Sequence, residues 1–272
     1  MKKNRRTAPA ALMVAALMTL PAALGLLNQV DWAASDAWYQ TPQSFDEGIV
    51  LVGIDQRAIE EIGPYDEWGR DIMAMAIEYL NESEDCHPAA ICLDVLYIGE
   101  SSPEADAWLA EAAGAYGNVV TGGAALFEDG FTERGEGLFY KDRFAIRLFE
   151  EPFDAMKEAA TVGHINAMLD TDGILRHHLL AITLPDGREV PSMALAAAEK
   201  YREFHGLGPV KRPPVDGHGF WYVPFSGGPA DLWESISVAD LLAGEVPTDH
   251  FAGKVVMIGP YAPGLQDSYF TS

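Results

Sequence analysis

Apolar and polar positions follow one another in blocks that predict an α/β chain. The run GIVLVGID (48–55) is apolar until its final acid, which is typical of a strand buried on both faces. Residues 69–83 carry apolar side chains at four-residue spacing and predict an amphipathic helix. AAICLDVLYI (89–98) predicts a second buried strand. The chain therefore opens as strand, helix, strand.

The alternation continues through residue 126. Residues 102–117 predict a helix with Ser102 as its N-cap and Pro103 at its first position. NVVTGGAAL (118–126) predicts a third strand. A β-α-β-α-β series implies a parallel sheet whose crossovers are right-handed.

The rest of the chain is less regular. Residues 127–142 predict a loop excursion and 143–160 a helix, while the Gly- and Pro-rich stretch 205–218 predicts a surface loop. Further predicted elements are strands at 175–184, 219–225 and 254–258 and helices at 191–204 and 237–242. No repeat or domain boundary is visible after residue 48. We expect one α/β domain with a mostly parallel central sheet flanked by helices.

The N-terminal segment predicts a membrane anchor. Residues 1–7 form a basic tail, and residues 8–29 contain no charged side chain. About twenty helical residues span a bilayer core of roughly 30 Å. Basic residues stay in the cytoplasm, so residues 30–272 are expected outside the cell, held at the cell membrane by this single helix. A cleaved signal peptide is the alternative, and it exports the same domain.

Between the anchor and the domain, residues 31–47 predict a short juxtamembrane helix or linker. The chain has two cysteines, Cys86 and Cys92, which are too few for a disulfide framework. An extended approach to the second strand would hold them too far apart to bridge. We expect both thiols to be unpaired.

The charge of the chain limits its partners. Its formal net charge is -23, although four basic residues lie among the first six. The remainder is more acidic still and repels nucleic-acid phosphates and anionic headgroups. We therefore expect no nucleic-acid partner.

One short motif has a catalytic interpretation. NAMLDTDGIL (166–175) contains the Asp-x-Asp-Gly run of haloacid-dehalogenase-type phosphatases, in which Asp170 would attack phosphorus and Asp172 would act as acid and base. Ile174 replaces the usual hydroxyl residue, and Pro260 stands where a magnesium-binding acid is expected. The alternative is a tight turn that uses Asp and Gly for local geometry. Asp170→Asn separates the two, because an enzyme would lose turnover and keep its fold.

Other catalytic and cofactor motifs are missing from the sequence. There is no G-x-S-x-G elbow and no Gly-rich phosphate loop. The histidines do not have metal-ligand spacing; they are His87, His164, His177, His178, His205, His218 and His250. We predict neither a metal site nor a cofactor.

Polar side chains gather where the predicted strands end. Asp55 closes the first strand and Asp94 lies in the second, while Trp68 and Arg70 open the first long helix. Ligands of parallel sheets bind at the carboxyl ends of strands. Arg70 is close enough in sequence to pair with Asp55 or Asp94. Such a pair either locks a loop or contacts a ligand, and both interpretations stay open.

Taken together, these motifs resemble the CHASE2 family of extracellular sensor domains over roughly residues 31–272. The most specific match, G-x-x-N-x-x-x-D-x-D-G-x-x-R, falls on Gly163, Asn166, Asp170, Asp172, Gly173 and Arg176. The closing pattern G-K-x-V-x-I-G…D falls on Gly253, Lys254, Val256, Ile258, Gly259 and Asp267. One departure is at the start of the first long helix, where relatives have Pro-Trp-x-Arg and this chain has Glu67 before Trp68.

The resemblance implies a role without naming a stimulus. CHASE2 domains are input modules of receptors, followed by transmembrane helices and a cytoplasmic cyclase, kinase or diguanylate cyclase. We therefore expect a non-enzymatic sensory domain that responds to a small molecule or ion and acts through the linker 31–47, with a homodimer as one arrangement. In relatives a further helix follows the last loop, so the resemblance implies that this sequence stops short of it. The alternatives are the exported phosphatase and a self-associating structural protein.

Overall fold

The computed structural model describes residues 9, 13–17, 19, 32, 34, 36–38, 47–133, 137, 139–170, 172–225, 234–265 and 270–271. No helix within these ranges has the length and apolar character required to cross a bilayer. Most of the predicted anchor 8–29 and of the linker 31–47 lies outside the described residues. The anchor therefore stays a prediction.

A central sheet of seven strands, counted over the described residues, organises the fold. Its strands are β1 (Ile49–Ile54), β2 (Ala90–Leu93), β3 (Val119–Glu133), β4 (Phe139–Glu150), β5 (Thr161–His164), β11 (Glu234–Ser237) and β12 (Val255–Pro260). The order is β11-β1-β12-β2-β3-β4, and β5 also pairs with β3. All pairings are parallel except that of β3 with β4. The predicted parallel sheet is confirmed, with β12 inserted between β1 and β2.

After residue 47, the described part of the chain also contains two small sheets and six α-helices. One sheet contains β6 (Met168–Leu169), β7 (Ile174–Leu179), β10 (Phe220–Tyr222) and β13 (Phe270–Thr271), and the other pairs β8 (Ala181–Thr183) with β9 (Glu189–Pro191). The helices are α1 (Gln56–Ile62), α2 (Arg70–Leu80), α3 (Pro103–Gly114), α4 (Asp154–Ala159), α5 (Met193–Phe204) and α6 (Val238–Leu242). Short 3-10 turns lie at Tyr65–Glu67 and Thr248–Phe251.

The central sheet is covered on both faces, which explains its continuous apolar runs. On one face, alternate residues of β1 and β12 such as Val52 and Ile258 pack with residues of α2 and α3. On the other face, Cys92 and Val120 pack against Met193 of α5. Burial also raises the pKa of the Cys92 thiol to about 12. Both cysteines are free thiols, as predicted.

The predictions for 127–142 and 143–160 are wrong. Instead of a loop and a long helix, β3 and β4 form an extended antiparallel hairpin, and only α4 is helical. Phe144, Ile146 and Phe149 pack against the buried cluster around Phe220. Cross-strand pairing and this burial outweigh the local helical composition, because strand preference depends on packing against neighbours.

Other differences are smaller. The predicted strand 175–184 divides into β7 and β8, and the second predicted strand ends at Leu93 rather than at residue 98. Ser102 is at the N-cap position of α3 but does not cap it, since its hydroxyl donates to Glu104 instead. Ser192 caps α5 by accepting a hydrogen bond from the backbone N–H of Leu195 at 3.1 Å.

Candidate functional site: the sheet edge and the Arg176 cluster

Asp55 lies at the carboxyl edge of the central sheet, where β1 ends. Its carboxylate caps α1 by accepting from the N–H of Ala58 at 2.8 Å, and it also accepts from the hydroxyl of Ser237 at 2.7 Å. Ser237 in turn caps α6 by accepting from the N–H of Ala239. Asp55 therefore joins the starts of two helices that follow the neighbouring strands β1 and β11. An open pocket of about 550 Å³ lies beside it.

Arg70, at the start of α2, pairs with Asp106 rather than with Asp55 or Asp94 as predicted. Its Nη1 is 2.8 Å from Asp106 Oδ1, and its Nη2 donates to the carbonyl of Gly99 at 2.7 Å. The guanidinium also lies over the ring of Phe153, 4.4 Å from its centroid. Both side chains of the ion pair are about nine-tenths buried. Arg70 thus fixes the segment after β2 to the starts of α2 and α3.

Trp68 and Asp94 border the same region. The indole of Trp68 donates to the carbonyl of Gly63 at 2.8 Å, and its ring meets Tyr65 edge-on with centroids 5.3 Å apart. Asp94 directly follows β2, and its side chain is exposed. Burial, and secondarily the charge of Asp94, raise the pKa of Tyr65. Trp68 and Tyr65 form one wall of a cleft of about 370 Å³.

Asn166 joins the end of β5 to the middle of β3. Its side-chain amide accepts from the N–H of Ala125 at 2.8 Å and donates to the carbonyl of the same residue at 2.7 Å. Backbone pairing between β5 and β3 has just ended, at Gly123 and His164. The amide therefore extends the ladder by one position with a side chain that reproduces both backbone bonds.

The Asp-x-Asp-Gly run forms a tight turn between β6 and β7. Gly173 has a φ of 81° and donates its N–H to the carbonyl of Asp170 at 2.9 Å. Asp172 accepts from the N–H of Ile174 at 3.2 Å. This turn lies in a small antiparallel hairpin rather than after a strand of the central sheet. The local geometry matches the turn interpretation of these residues.

Arg176 is the centre of a cluster of three carboxylates. Its side chain is 4% exposed, and its guanidinium contacts Asp170 at 2.8 Å, Asp172 at 2.9 Å and Asp36 at 2.6 Å. The guanidinium also lies 5.3 Å from the ring centroid of Trp32. Trp32 and Asp36 belong to the segment predicted as the juxtamembrane linker. We call these five side chains the Arg176 clamp.

Within the clamp, Arg176 forms ion pairs with both acids of the Asp-x-Asp-Gly run. Hydrogen bonds from Arg176 lower the pKa of Asp172, and those to Asp36 and Asp172 raise the pKa of Arg176. His177 Nδ1 is 3.5 Å from the second oxygen of Asp170, while burial lowers the pKa of this imidazole. Because one guanidinium holds both carboxylates, neither is presented as a free nucleophile. Across the part of the chain that the structure describes, no group of three His, Cys, Asp or Glu could hold a metal ion.

Strand β7 is also where the end of the chain returns. Phe270 and Thr271 of β13 pair in parallel with Ile174 and Leu175, next to Arg176. Strand β7 thus contacts the N-terminal segment through a side chain and the C-terminal segment through its backbone. Asp267, the last predicted site residue, lies outside the described residues.

Three features of these sites escape sequence reasoning. Asp106 is 36 positions from Arg70, and Asp36 is 140 positions from Arg176. The third is a stacked imidazole pair, His164 and His178, with ring centroids 5.5 Å apart. The only available signal was the four-residue spacing of Trp32 and Asp36, which places both on one side of a helix.

The buried ring of His164 lacks conventional partners. It is 0% exposed, and neither ring nitrogen has a hydrogen-bond partner of standard geometry among the described residues. Burial lowers its pKa to about 4, the neighbouring His178 adds to this, and the Leu179 backbone opposes it. Burial lowers the pKa of His178 as well. This pair joins β5 of the central sheet to β7 of the small sheet.

Comparison with known protein families matches residues 10–272 to the CHASE2 domain. The chain therefore belongs to the CHASE2 domain family. CHASE2 is a sensory domain family of signalling receptors, which gives this chain a sensory input role. Comparisons with curated proteins and with solved structures found no match.

Proposed function

We propose that residues 30–272 are the extracytoplasmic input domain of a membrane-bound receptor, anchored by a helix at 8–29. The observation that carries this proposal is the Arg176 clamp. The most specific family motif, which ends in Arg176, holds Asp36, only seven residues beyond the predicted anchor. A domain that regulates a membrane helix needs such a contact with the segment that leads into it.

The clamp provides a physical route for a signal. Three carboxylates compete for one guanidinium, so the cluster carries surplus negative charge that a change in stimulus, ionic strength or pH can rebalance. A shift of a few kcal/mol between bound and released linker states is enough to move a two-state equilibrium. The released linker would reorient the membrane helix, and a homodimer would pass that change onward.

The return of β13 to β7 supports the same route. If a second membrane helix follows the chain, as in a receptor with a cytoplasmic cyclase, kinase or diguanylate cyclase, its connection would start beside the clamp. One strand would then link both membrane connections, and a displacement of β7 would act on both. A single displacement of β7 would therefore be enough to affect both membrane connections.

Replacing residues 31–47 with a Gly/Ser linker of equal length tests this proposal. The chain is placed ahead of a transmembrane helix and a cytoplasmic adenylate cyclase reporter, and cyclic AMP is measured in intact cells. We expect the reporter to keep its expression level and to lose the output set by the folded domain, because a flexible linker transmits no packing change. Output equal to that of the unmodified chimera would contradict the proposal.

A further inference from the structure

A concave surface lies at the carboxyl edge of the central sheet, beside Tyr65 and Trp68. It lies between the turn that leads into α2 and the segment that follows β2, and its volume is about 370 Å³. Ligands of parallel α/β sheets bind outside the carboxyl ends of the strands. The cleft therefore has the position of a ligand site.

Aromatic and aliphatic side chains line the cleft together with the polar residues Arg70, Glu100 and Ser101. Tyr65, Trp68 and Tyr97 contribute aromatic rings, and Leu96 and Ile98 stand at its rim. These two aliphatic side chains are 37% and 47% exposed, although they lie beside a buried tyrosine. Large apolar groups left exposed around a concave aromatic surface are typical of ligand-binding grooves.

The charge around the cleft is negative. Arg70 is the one cation among the lining residues that the structure describes, and its charge is already matched by Asp106, two backbone carbonyls and the ring of Phe153. The acids nearby are Asp66 and Glu67 in the turn, Asp94 after β2 and Glu100 in the wall. The chain as a whole also has an excess of acids. The local field therefore attracts cations and repels anions.

We propose that this cleft binds an organic cation, a small ammonium or quaternary ammonium compound with an apolar body. Its charged group would lie against the faces of Trp68 and Tyr65, where the ring quadrupole attracts a cation, and its apolar part would cover Leu96 and Ile98. Glu100 in the wall of the cleft adds long-range attraction. This inference rests on the proposed function only for the idea that the bound compound is the stimulus.

Choline and its neutral isostere 3,3-dimethyl-1-butanol test the proposal on the full chain, purified in detergent, by isothermal titration calorimetry. We expect saturable choline binding, with the uncharged isostere weaker by about tenfold or more, since it lacks the cation–π attraction. Absence of saturable choline binding at concentrations up to about 10 mM would overturn the proposal, because millimolar dissociation constants are the weak end of specific binding. So would equal binding of the two compounds.

Variants locate the binding. Trp68→Leu is expected to weaken choline binding by about tenfold through loss of the best cation–π ring. Trp38→Leu is the matched control, because Trp38 is 83% exposed and does not line the cleft. Because Trp68 also supports the fold, Glu100→Gln provides a second variant, with an expected loss of a few-fold. Choline binding that neither Trp68→Leu nor Glu100→Gln reduces would place the ligand elsewhere and refute the proposed site.

The calorimetry needs no output domain, whereas the linker replacement needs no ligand. Failure of choline binding would leave the linker result intact, and failure of the linker replacement would leave the cleft intact. The two proposals can therefore be rejected separately.

Discussion

At the scale of single residues, Arg176 is the one cation of the D-x-D-G-x-x-R motif at 170–176. Its nearly buried guanidinium offsets three carboxylates that are 20–25% exposed. Arg176→Gln would leave these acids facing one another without a cation. We expect a loss of about 2–3 kcal/mol in the free energy of unfolding, measured by urea titration at pH 7.

Arg147→Gln is the control for that loss. Arg147 also pairs with an acid, Glu128, but both side chains are more than half exposed. Surface pairs of this kind contribute at most about 1 kcal/mol. Equal losses of unfolding free energy in Arg176→Gln and Arg147→Gln would show that the clamp stabilises the fold no more than an exposed ion pair does.

Asn166 gives a second prediction at this scale. Asn166→Ala removes both hydrogen bonds to Ala125 and is expected to cost about 1–3 kcal/mol. Asn166→Asp should cost more, because a carboxylate would meet the carbonyl of Ala125 in place of an amide donor. Thermal unfolding measures the stability of both variants. An Asp variant more stable than the Ala variant would contradict the pair of hydrogen bonds between the Asn166 amide and the backbone of Ala125.

The buried His164 predicts a pH dependence. Its pKa falls from the ordinary 6.5 to about 4, so the folded protein resists protonation and the unfolded chain does not. The free energy of unfolding is therefore highest above pH 6.5, and it decreases by about 3 kcal/mol in total as the pH falls to about 4. The pKa of His178 is lowered too, which acts in the same direction.

Urea unfolding at pH 7, 5.5 and 4 measures this effect. We expect His164→Leu to show a smaller drop in stability across the series than the parent chain. His218→Gln, which changes an exposed histidine, should follow the parent. If His164→Leu and the parent lose stability in parallel, the buried imidazole is not the source of the acid sensitivity.

At the scale of elements, the approach of α5 to the central sheet depends on a glycine. A Cβ at Gly163 would lie 2.7 Å from the Cα of Met193 and 2.9 Å from its backbone nitrogen. Backbone cannot yield as a flexible side chain does, so Gly163→Ala should displace the start of α5. We expect a loss of about 1–3 kcal/mol in thermal unfolding. Gly217→Ala is the control, because no atom lies within 4 Å of its added Cβ, and a similar loss there would contradict the close approach.

An element could be predicted when its own sequence pattern determines it, and not when contacts with residues distant in the sequence do. Strands β1 and β2 are buried on both faces, and their unbroken apolar runs show this directly. The β3–β4 hairpin could not be read in the same way, because β4 owes its state to pairing with β3 and to contacts of Phe144 with the distant Phe220. The insertion of β12 between β1 and β2 likewise depends on pairing between strands that are far apart in the sequence.

The sites show the same division. The motif that ends in Arg176 was visible in the sequence as a unit, and so was its turn geometry around Gly173. Its partner Asp36 was not, because an ion pair across 140 positions leaves no local pattern. For Arg70 the sequence indicated only the nearby acids Asp55 and Asp94, whereas the structure places Asp106 of α3 beside it.

At the scale of the whole molecule, residues from near the two ends of the sequence meet on one strand. Arg176 of β7 contacts Asp36, and Ile174 of the same strand pairs with Phe270. The proposed ligand cleft lies elsewhere, at the carboxyl edge of the central sheet. The stacked pair of His164 and His178 forms one physical connection between the two sheets. Under the two proposals above, the sensing region and the transmitting region are separate parts of one fold.

The central claim is that the Arg176 clamp transmits the state of the domain to the membrane segment. The most direct test is cyclic AMP output from the cyclase chimera carrying Asp36→Asn, which weakens the linker side of the clamp and leaves Asp170 and Asp172 paired with Arg176. Trp38→Leu, in the same segment, is the control. The account predicts that Asp36→Asn shifts output toward that of the Gly/Ser-linker chimera, while Trp38→Leu does not. Output from Asp36→Asn equal to that of the unmodified chimera would contradict it.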